Sequence, residues 1–173
     1  MKELRMHVFG VALLAIILAG SQKATAQDFG QSHYEQLKVL EPLFGTWAME
    51  TGSVKLKFSY KVAEGLQKNA ILREVHVDNP DGSGEVRISM VTFYWDPASK
   101  QIRSFGVNAG GEVRNGVLVA KGEGKFVHEF EDTQSEGGKE TERREISVKG
   151  NEITFKNNEG NSTTLTKAEG SGK

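Results

Sequence analysis

The chain of 173 residues contains no cysteine, so no disulfide framework holds its fold and a hydrophobic core must supply the stability. Its 22 Lys and Arg and 23 Asp and Glu give a formal net charge of −1, which lacks the basic excess that nucleic acids and anionic membrane surfaces require of a partner. A chain of this length is ordinary for one domain.

Residues 1–26 have the three parts of a cleaved secretory signal, namely a positive start, an apolar run and a small-residue cleavage site. These parts are Lys2 and Arg5, then Val8–Leu18, then Ala24 and Ala26. The apolar run is too short to span a membrane, so we expect a mature chain that begins at Gln27 in the periplasm or outside the cell. An uncleaved N-terminal anchor is the alternative. Removal of the signal leaves 19 Lys and Arg against 22 Asp and Glu, a charge of −3.

One helix is predicted near the start of the mature chain, over residues 32–43. Ser32 is followed three positions later by Glu35, the spacing of a capping box in which each side chain binds the other's free backbone amide. Leucines fall on one face of this helix, and Pro42 indicates its end.

The clearest β pattern lies in residues 53–62, where apolar and polar side chains alternate. The apolar positions, which we expect to face the core, are Val54, Leu56, Phe58, Tyr60 and Val62. Further runs with strand character cover 69–78, 85–95, 101–109, 112–121, 125–133, 140–149, 152–157 and 162–167. Short turns separate the runs, which predicts an all-β antiparallel fold of eight to nine strands, an up-and-down barrel or a sandwich. Asn115-Gly116 is either a tight turn or a bulge within one longer strand.

The segment Leu43-Phe44-Gly45-Thr46-Trp47 resembles the start of the lipocalin-like, or calycin, barrels. The stretch from Phe93 to Gly106 is similar to the middle of an uncharacterised bacterial family of exported lipocalin-like proteins. The resemblance implies an up-and-down barrel over residues 27–167, plugged by the helix, with Gly45 turning the chain into the barrel and Trp47 closing its base. We expect residues 168–173 to form a disordered tail. The family implies a fold and no particular reaction.

Phe126, His128 and Phe130 share one face of a strand, and we predict that this face lines the barrel lumen because phenylalanines are more often buried than exposed. There His128 either binds a ligand or is a core histidine whose nitrogens are satisfied. Asp132 lies on the same face but about 13 Å along the strand, too far to be its partner. Similarity to the nitrobindins, in which a barrel histidine ligates haem, implies haem as an alternative, although we predict no cofactor.

Two arginines alternate in step with apolar residues and are candidates for binding a ligand carboxylate. Arg73 shares a face with Ile71, and Arg103 alternates with Phe105. In the alternative interpretation, each arginine reaches water at a strand end or stacks on Trp47, as arginines do in calycins.

Neither a metal site nor a catalytic centre is predicted. A metal would need His76 to meet His128 and a carboxylate, and no closely spaced histidine pair supports that arrangement. The chain has no nucleophile elbow, no distinct acid–base carboxylate pair and no phosphate-binding loop, so we expect no catalytic residues.

The favoured hypothesis for function is an exported protein that binds a small apolar or amphipathic molecule in its barrel. The candidate ligand-binding residues are His128, Phe126, Phe130, Arg73, Arg103 and Tyr60. One alternative is an enzyme that uses the same lumen for isomerisation, cyclisation or haem-peroxide chemistry. Another is a structural or interaction domain without ligand, which a core packed solid by side chains such as Phe58 and Met90 would favour. The sequence leaves the oligomeric state open.

Overall fold

The computed structural model describes residues 32–52, 54–79 and 81–168. The predicted signal and the expected start at Gln27 lie outside these residues, as does the predicted tail beyond Ala168. The described residues belong to one compact unit that begins at Ser32. Within them, no helix has the length and apolar character needed to cross a membrane.

Ten strands among the described residues form one closed antiparallel barrel, in which each strand pairs with its chain neighbours and the last strand returns to the first. The strands are β1 (Gly45–Thr51), β2 (Val54–Val62), β3 (Ala70–Asp78), β4 (Glu85–Asp96), β5 (Gln101–Asn108), β6 (Val113–Gly122), β7 (Lys125–Thr133), β8 (Lys139–Lys149), β9 (Glu152–Lys156) and β10 (Ser162–Lys167). The antiparallel all-β barrel is therefore confirmed, but the expected count of eight to nine strands is wrong. The strand missing from the expected set is β1, whose residues lack strict apolar alternation. The chain turns from β1 into the antiparallel β2 at Gly52, which has a φ of 60°.

The N-terminal helix is present but shorter and differently capped than predicted. It consists of one α-helical turn, α1 (Tyr34–Leu37), which continues as a 3-10 helix over Lys38–Leu43 that contains Pro42. The capping box is wrong, because His33 occupies the N-cap and Glu35 pairs instead with Lys38 at 2.8 Å. The Ser32 hydroxyl accepts from the backbone N–H of Tyr34 at 3.3 Å and donates to the carbonyl of Gln67 in the loop between β2 and β3.

The helical segment closes one end of the barrel. Its three leucines, Leu37, Leu40 and Leu43, are completely buried and pack in the main apolar cluster. Trp47 is buried beside them, and its indole N–H donates to the carbonyl of Leu43 at 2.7 Å. The cation above the Trp47 ring is the ammonium of Lys167, 5.3 Å from the ring centroid, and not an arginine.

Gly45 is the point at which the chain leaves the helical segment and enters β1. Its φ of 112° lies in the region that side-chain-bearing residues rarely adopt, so the glycine is required by the backbone at this turn. The geometry matches what the resemblance implies for Gly45 and Trp47.

The alternating strand β2 has the predicted inner face along most of its length. Tyr60 is buried, and Leu56, Phe58 and Val62 are half-buried. The expectation fails at Val54, which is 51% exposed because it lies at the very start of the strand, at the rim of the barrel. Alternation indicates which side chains share a face but not how far the core reaches along it.

Asn115-Gly116 is neither a turn nor a bulge. Both residues lie inside β6 and pair in regular register with Glu131 and Phe130 of β7, and the irregular pairing falls further on, between Ala120 and Gly122. Gly116 is needed for close packing, since a Cβ there would lie 2.5 Å from the carbonyl oxygen of Glu129 and 3.0 Å from Ser104 Oγ.

Candidate ligand-binding site

The interior of the barrel changes character along its axis. At the helix end it is filled by the apolar cluster that includes Trp47, Phe93 and Phe126. At the opposite end, where β2, β4, β6 and β8 begin, a cavity of about 220 Å³ remains. Its wall combines the apolar side chains of Phe58, Val75 and Val91 with three guanidinium groups, those of Arg73, Arg114 and Arg144.

Arg73 is the most deeply buried of these three arginines, with 3% of its surface exposed. It lies in β3 directly across from Tyr60 of β2. Its Nε atom and the hydroxyl of Tyr60 are both buried and have no hydrogen-bond partner among the described residues. Within the same part of the chain, no carboxylate lies within ion-pair distance of Arg73, whereas Arg114 and Arg144 each have one.

Burial affects Arg73 and Tyr60 differently. Burial raises the pKa of Tyr60, an effect that the nearby positive charge of Arg73 only partly opposes, so the phenol remains protonated at neutral pH. Burial also lowers the pKa of Arg73, but an arginine begins so far above neutrality that it keeps its charge in proteins. The inner wall of the cavity therefore carries one buried positive charge without a counterion from the described residues.

The other two arginines are neutralised by carboxylates from the same inner face. Arg114 forms a two-pronged ion pair with Asp132, in which the Nε–Oδ1 bond measures 2.7 Å. Arg144 donates to Glu142 at 2.5 Å. Both guanidinium groups also lie over the ring of Phe130, at 3.8 and 5.2 Å from its centroid. These ion pairs and ring contacts hold the side chains of the two arginines in place in the cavity wall.

The prediction that Phe126, His128 and Phe130 face inward is confirmed, since each is at most 2% exposed. His128 Nε2 is hydrogen-bonded to Ser104 Oγ at 2.8 Å, and no described residue bonds the other ring nitrogen. The imidazole packs against the Phe93 and Phe130 rings, with centroids 5.5 and 4.7 Å away. As expected, Asp132 is not its partner.

His128 is neutral at physiological pH. Burial first, and then the positive charges of Arg73, Arg114 and Arg144, hold the pKa of His128 well below the ordinary value of 6.5. Neither His128 nor Ser104 is among the described residues that line the cavity, and the His128 ring belongs instead to the packed interior around Phe93 and Phe130.

The expected inward position of Arg103 is wrong. In β5 the buried residues are Ile102, Ser104 and Gly106, while Arg103 is half-exposed and Phe105 is 48% exposed. The inner face needs small residues here, because a Cβ on Gly106 would lie 2.6 Å from the Val91 side chain. Of the six candidate residues, only Arg73 lines the cavity directly.

His76 and His128 cannot share a metal ion. His76 alternates with Val75, which lines the cavity, and therefore lies on the outer face of β3, where it pairs in register with Lys57 and Arg87. Among the described residues, no group of three or more acidic or histidine side chains is arranged to hold a metal.

Arg114 and Arg144 line the cavity, although no sequence motif identifies them. Arg144 lies in a run of mixed charge that is typical of a solvated strand face. A signal is nevertheless present, because Ile146 lies two positions beyond Arg144 and strand alternation places both on one face.

A second depression, of about 520 Å³, lies on the outer surface of the barrel across β7, β8 and β9. Its cations include Lys125, Lys156 and Arg143, of which Arg143 already contacts Glu129 and Glu145. Solvent is available to all three, so the depression lacks the buried, unpaired charge that distinguishes the inner cavity.

The barrel is compatible with a lipocalin-like fold. It is closed, its strands are antiparallel, and an N-terminal helical segment covers one end. Comparisons of the chain with protein-family models, with curated proteins and with solved structures find no match.

Proposed function

We propose that this protein binds a small amphipathic molecule in the cavity at the open end of its barrel. The observation that carries the proposal is the combination of an apolar wall with the buried, unpaired guanidinium of Arg73 in one cavity. A purely structural core would place an aliphatic side chain there, as it does at the neighbouring inward positions Ile71 and Val75. We further propose that the protein acts in the periplasm or outside the cell, on the strength of the signal in residues 1–26.

The dimensions of the cavity favour a small ligand. About 220 Å³ is below the roughly 300–1,000 Å³ typical of pockets for drug-sized ligands. A haem is disfavoured for the same reason, and because Phe93 and Phe130 enclose the His128 ring. Binding is favoured over catalysis because the hydrogen-bonded pair His128 and Ser104 is not among the described residues that line the cavity.

The proposal is tested by native mass spectrometry of protein purified from its own host, which detects a retained molecule whatever its identity. Ser89 lies in the wall of the cavity, so Ser89→Phe should fill the cavity and abolish the additional mass of the bound molecule. Thr92→Phe, on the opposite face of the same strand, is the matched control and should retain it. A mass equal to that of the polypeptide in every preparation, or retention in the Ser89→Phe variant, contradicts the proposal.

A further inference from the structure

We propose that the ligand is an organic monoanion, a carboxylate, whose charged group binds Arg73 at the inner end of the cavity. The inference rests on the proposed function and adds to it the chemical class of the molecule. It follows from which charges around the cavity are already paired and which are not.

The charges of the cavity leave room for one negative group. Arg114 is paired with Asp132 and Arg144 with Glu142, so neither needs a further anion. Arg73 alone among the three has no carboxylate partner within the described residues. The remaining acidic residue of the wall, Glu112, is held by the side-chain amide of Asn108, and its negative charge disfavours an anion with two charges.

An unpaired guanidinium in this position is unfavourable unless something satisfies it. Burial of a charge without a partner is costly, because the charge loses its hydration and gains no compensating interaction. The Nε atom of Arg73 has no acceptor among the described residues, and the neighbouring hydroxyl of Tyr60 is neutral and supplies no charge to balance the guanidinium. A carboxylate satisfies a guanidinium particularly well, because its two oxygens match two parallel N–H donors.

The rest of the cavity sets the size and polarity of the organic part. Phe58, Val75 and Val91 offer an apolar surface beside Arg73. The volume of about 220 Å³ equals that of on the order of seven water molecules. A short alkyl or aromatic group attached to the carboxylate fits both limits.

The test compares three probes of similar shape by isothermal titration calorimetry: hexanoate, its neutral analogue hexanamide, and hexyl phosphate, which carries more than one charge at neutral pH. We expect hexanoate to bind more tightly than either of the others. Arg73→Met should weaken hexanoate about 30-fold or more, as expected when a buried charge pair loses one partner, and should leave hexanamide unchanged. Arg103→Met removes an arginine from the outer face and should change neither affinity.

A second measurement distinguishes a binding role from a purely structural one. Without ligand, Arg73→Met should raise the denaturation midpoint, because it replaces an unpaired buried charge with an apolar side chain. Hexanoate should raise the midpoint of the wild-type protein but not that of the variant. If Arg73→Met does not fold, Arg73→Lys keeps the charge without the two-pronged donor and should reduce the preference for hexanoate over hexanamide.

The outcomes separate this inference from the proposed function. If hexanoate and hexanamide bind equally well, or if Arg73→Met does not weaken hexanoate, the proposal that the ligand is an anion is overturned. The proposal that the cavity binds a ligand still stands in that case. If hexyl phosphate binds more tightly than hexanoate, the proposal that the ligand carries a single negative charge is overturned. A neutral molecule retained from the host overturns the anion as well, whereas the absence of both a retained molecule and probe binding overturns both proposals.

Discussion

Burial lowers the pKa of both Arg73 and His128, two titratable side chains deep in the barrel, but only His128 loses its charge. Arg73 keeps its proton because its pKa, although lowered, begins far above neutrality. His128 begins near neutrality and also faces three guanidinium groups, so it loses its charge. The outcome is an interior in which positive charge is concentrated on arginines, and in which only Arg73 lacks a carboxylate among the described residues.

The neutral state of His128 predicts that stability declines at mildly acid pH. Below pH 6.5 the unfolded chain takes up a proton at this residue while the folded chain does not, until the pH falls through the lower folded pKa. The free energy of unfolding should therefore fall with decreasing pH, with a contribution from His128 of at most about 1.4 kcal/mol per pH unit. Urea unfolding between pH 7.5 and 5.5 measures this slope.

His128→Gln keeps a side chain able to bond Ser104 but removes the titrating group, so it should flatten the pH dependence over this range. His76→Gln, a change on the outer face of β3, is the matched control. Equal losses of pH dependence in the two variants would show that His128 is not the responsible group.

The helical segment and β1 act together as the closed end of the barrel. Leu37, Leu40 and Leu43 cover the apolar interior, and Trp47 connects them to the sheet through its bond to the Leu43 carbonyl. The backbone reaches this arrangement through Gly45, whose φ of 112° disfavours any β-branched replacement.

Trp47→Ala should lower the free energy of unfolding by about 3–5 kcal/mol, because it leaves a large cavity in the base of the barrel. Trp47→Phe retains most of the ring volume but loses the indole donor, so it should lower the free energy of unfolding by less than Trp47→Ala does. We expect about 1 kcal/mol from the lost hydrogen bond, together with a contribution from the smaller ring. Chemical denaturation followed by far-UV circular dichroism measures both. A midpoint that Trp47→Ala leaves unchanged would remove Trp47 from the role assigned to it.

For the molecule as a whole, the closure between the first and last strands has the fewest residue pairs of any strand pairing within the described part of the chain. Among the described residues, the register of β1 with β10 contains two residue pairs, Trp47–Lys167 and Ala48–Thr166, followed by one bond from the Ala168 N–H to the Thr46 carbonyl, whereas that of β6 with β7 contains nine pairs. A ladder with fewer paired residues opens at a lower free energy.

Amide hydrogen exchange should therefore be faster in β10 and in the β10-facing amides of β1 than in β6 and β7. Nuclear magnetic resonance resolves the two groups within one sample, so β6 and β7 act as the internal control. Binding of a ligand in the cavity, which β1 and β10 do not line, should leave the order unchanged. Protection in β10 equal to that in β7 would contradict this account of the closure.

The sequence by itself determined the positions of β2 to β10, the all-β class and the inward face of β7, since alternation is local and each signal lies within one short segment. Phe126, His128 and Phe130 share a face because successive side chains of any strand point to opposite sides. The turns between strands are equally local, because they depend on the backbone freedom of a few residues.

Only the tertiary structure decided which face of β5 is the inner one and which charges meet. Arg103 faces outward because Val91, on the neighbouring strand, leaves room only for a glycine at position 106. The predicted capping box does not form, because Glu35 pairs with Lys38, while the Ser32 hydroxyl donates to Gln67, which is 35 residues away. Arg73 has no counterion among the described residues, because Asp132 and Glu142 pair with Arg114 and Arg144, and Glu112 is held by Asn108. Each of these outcomes depends on residues brought together by strand pairing, which no local pattern encodes.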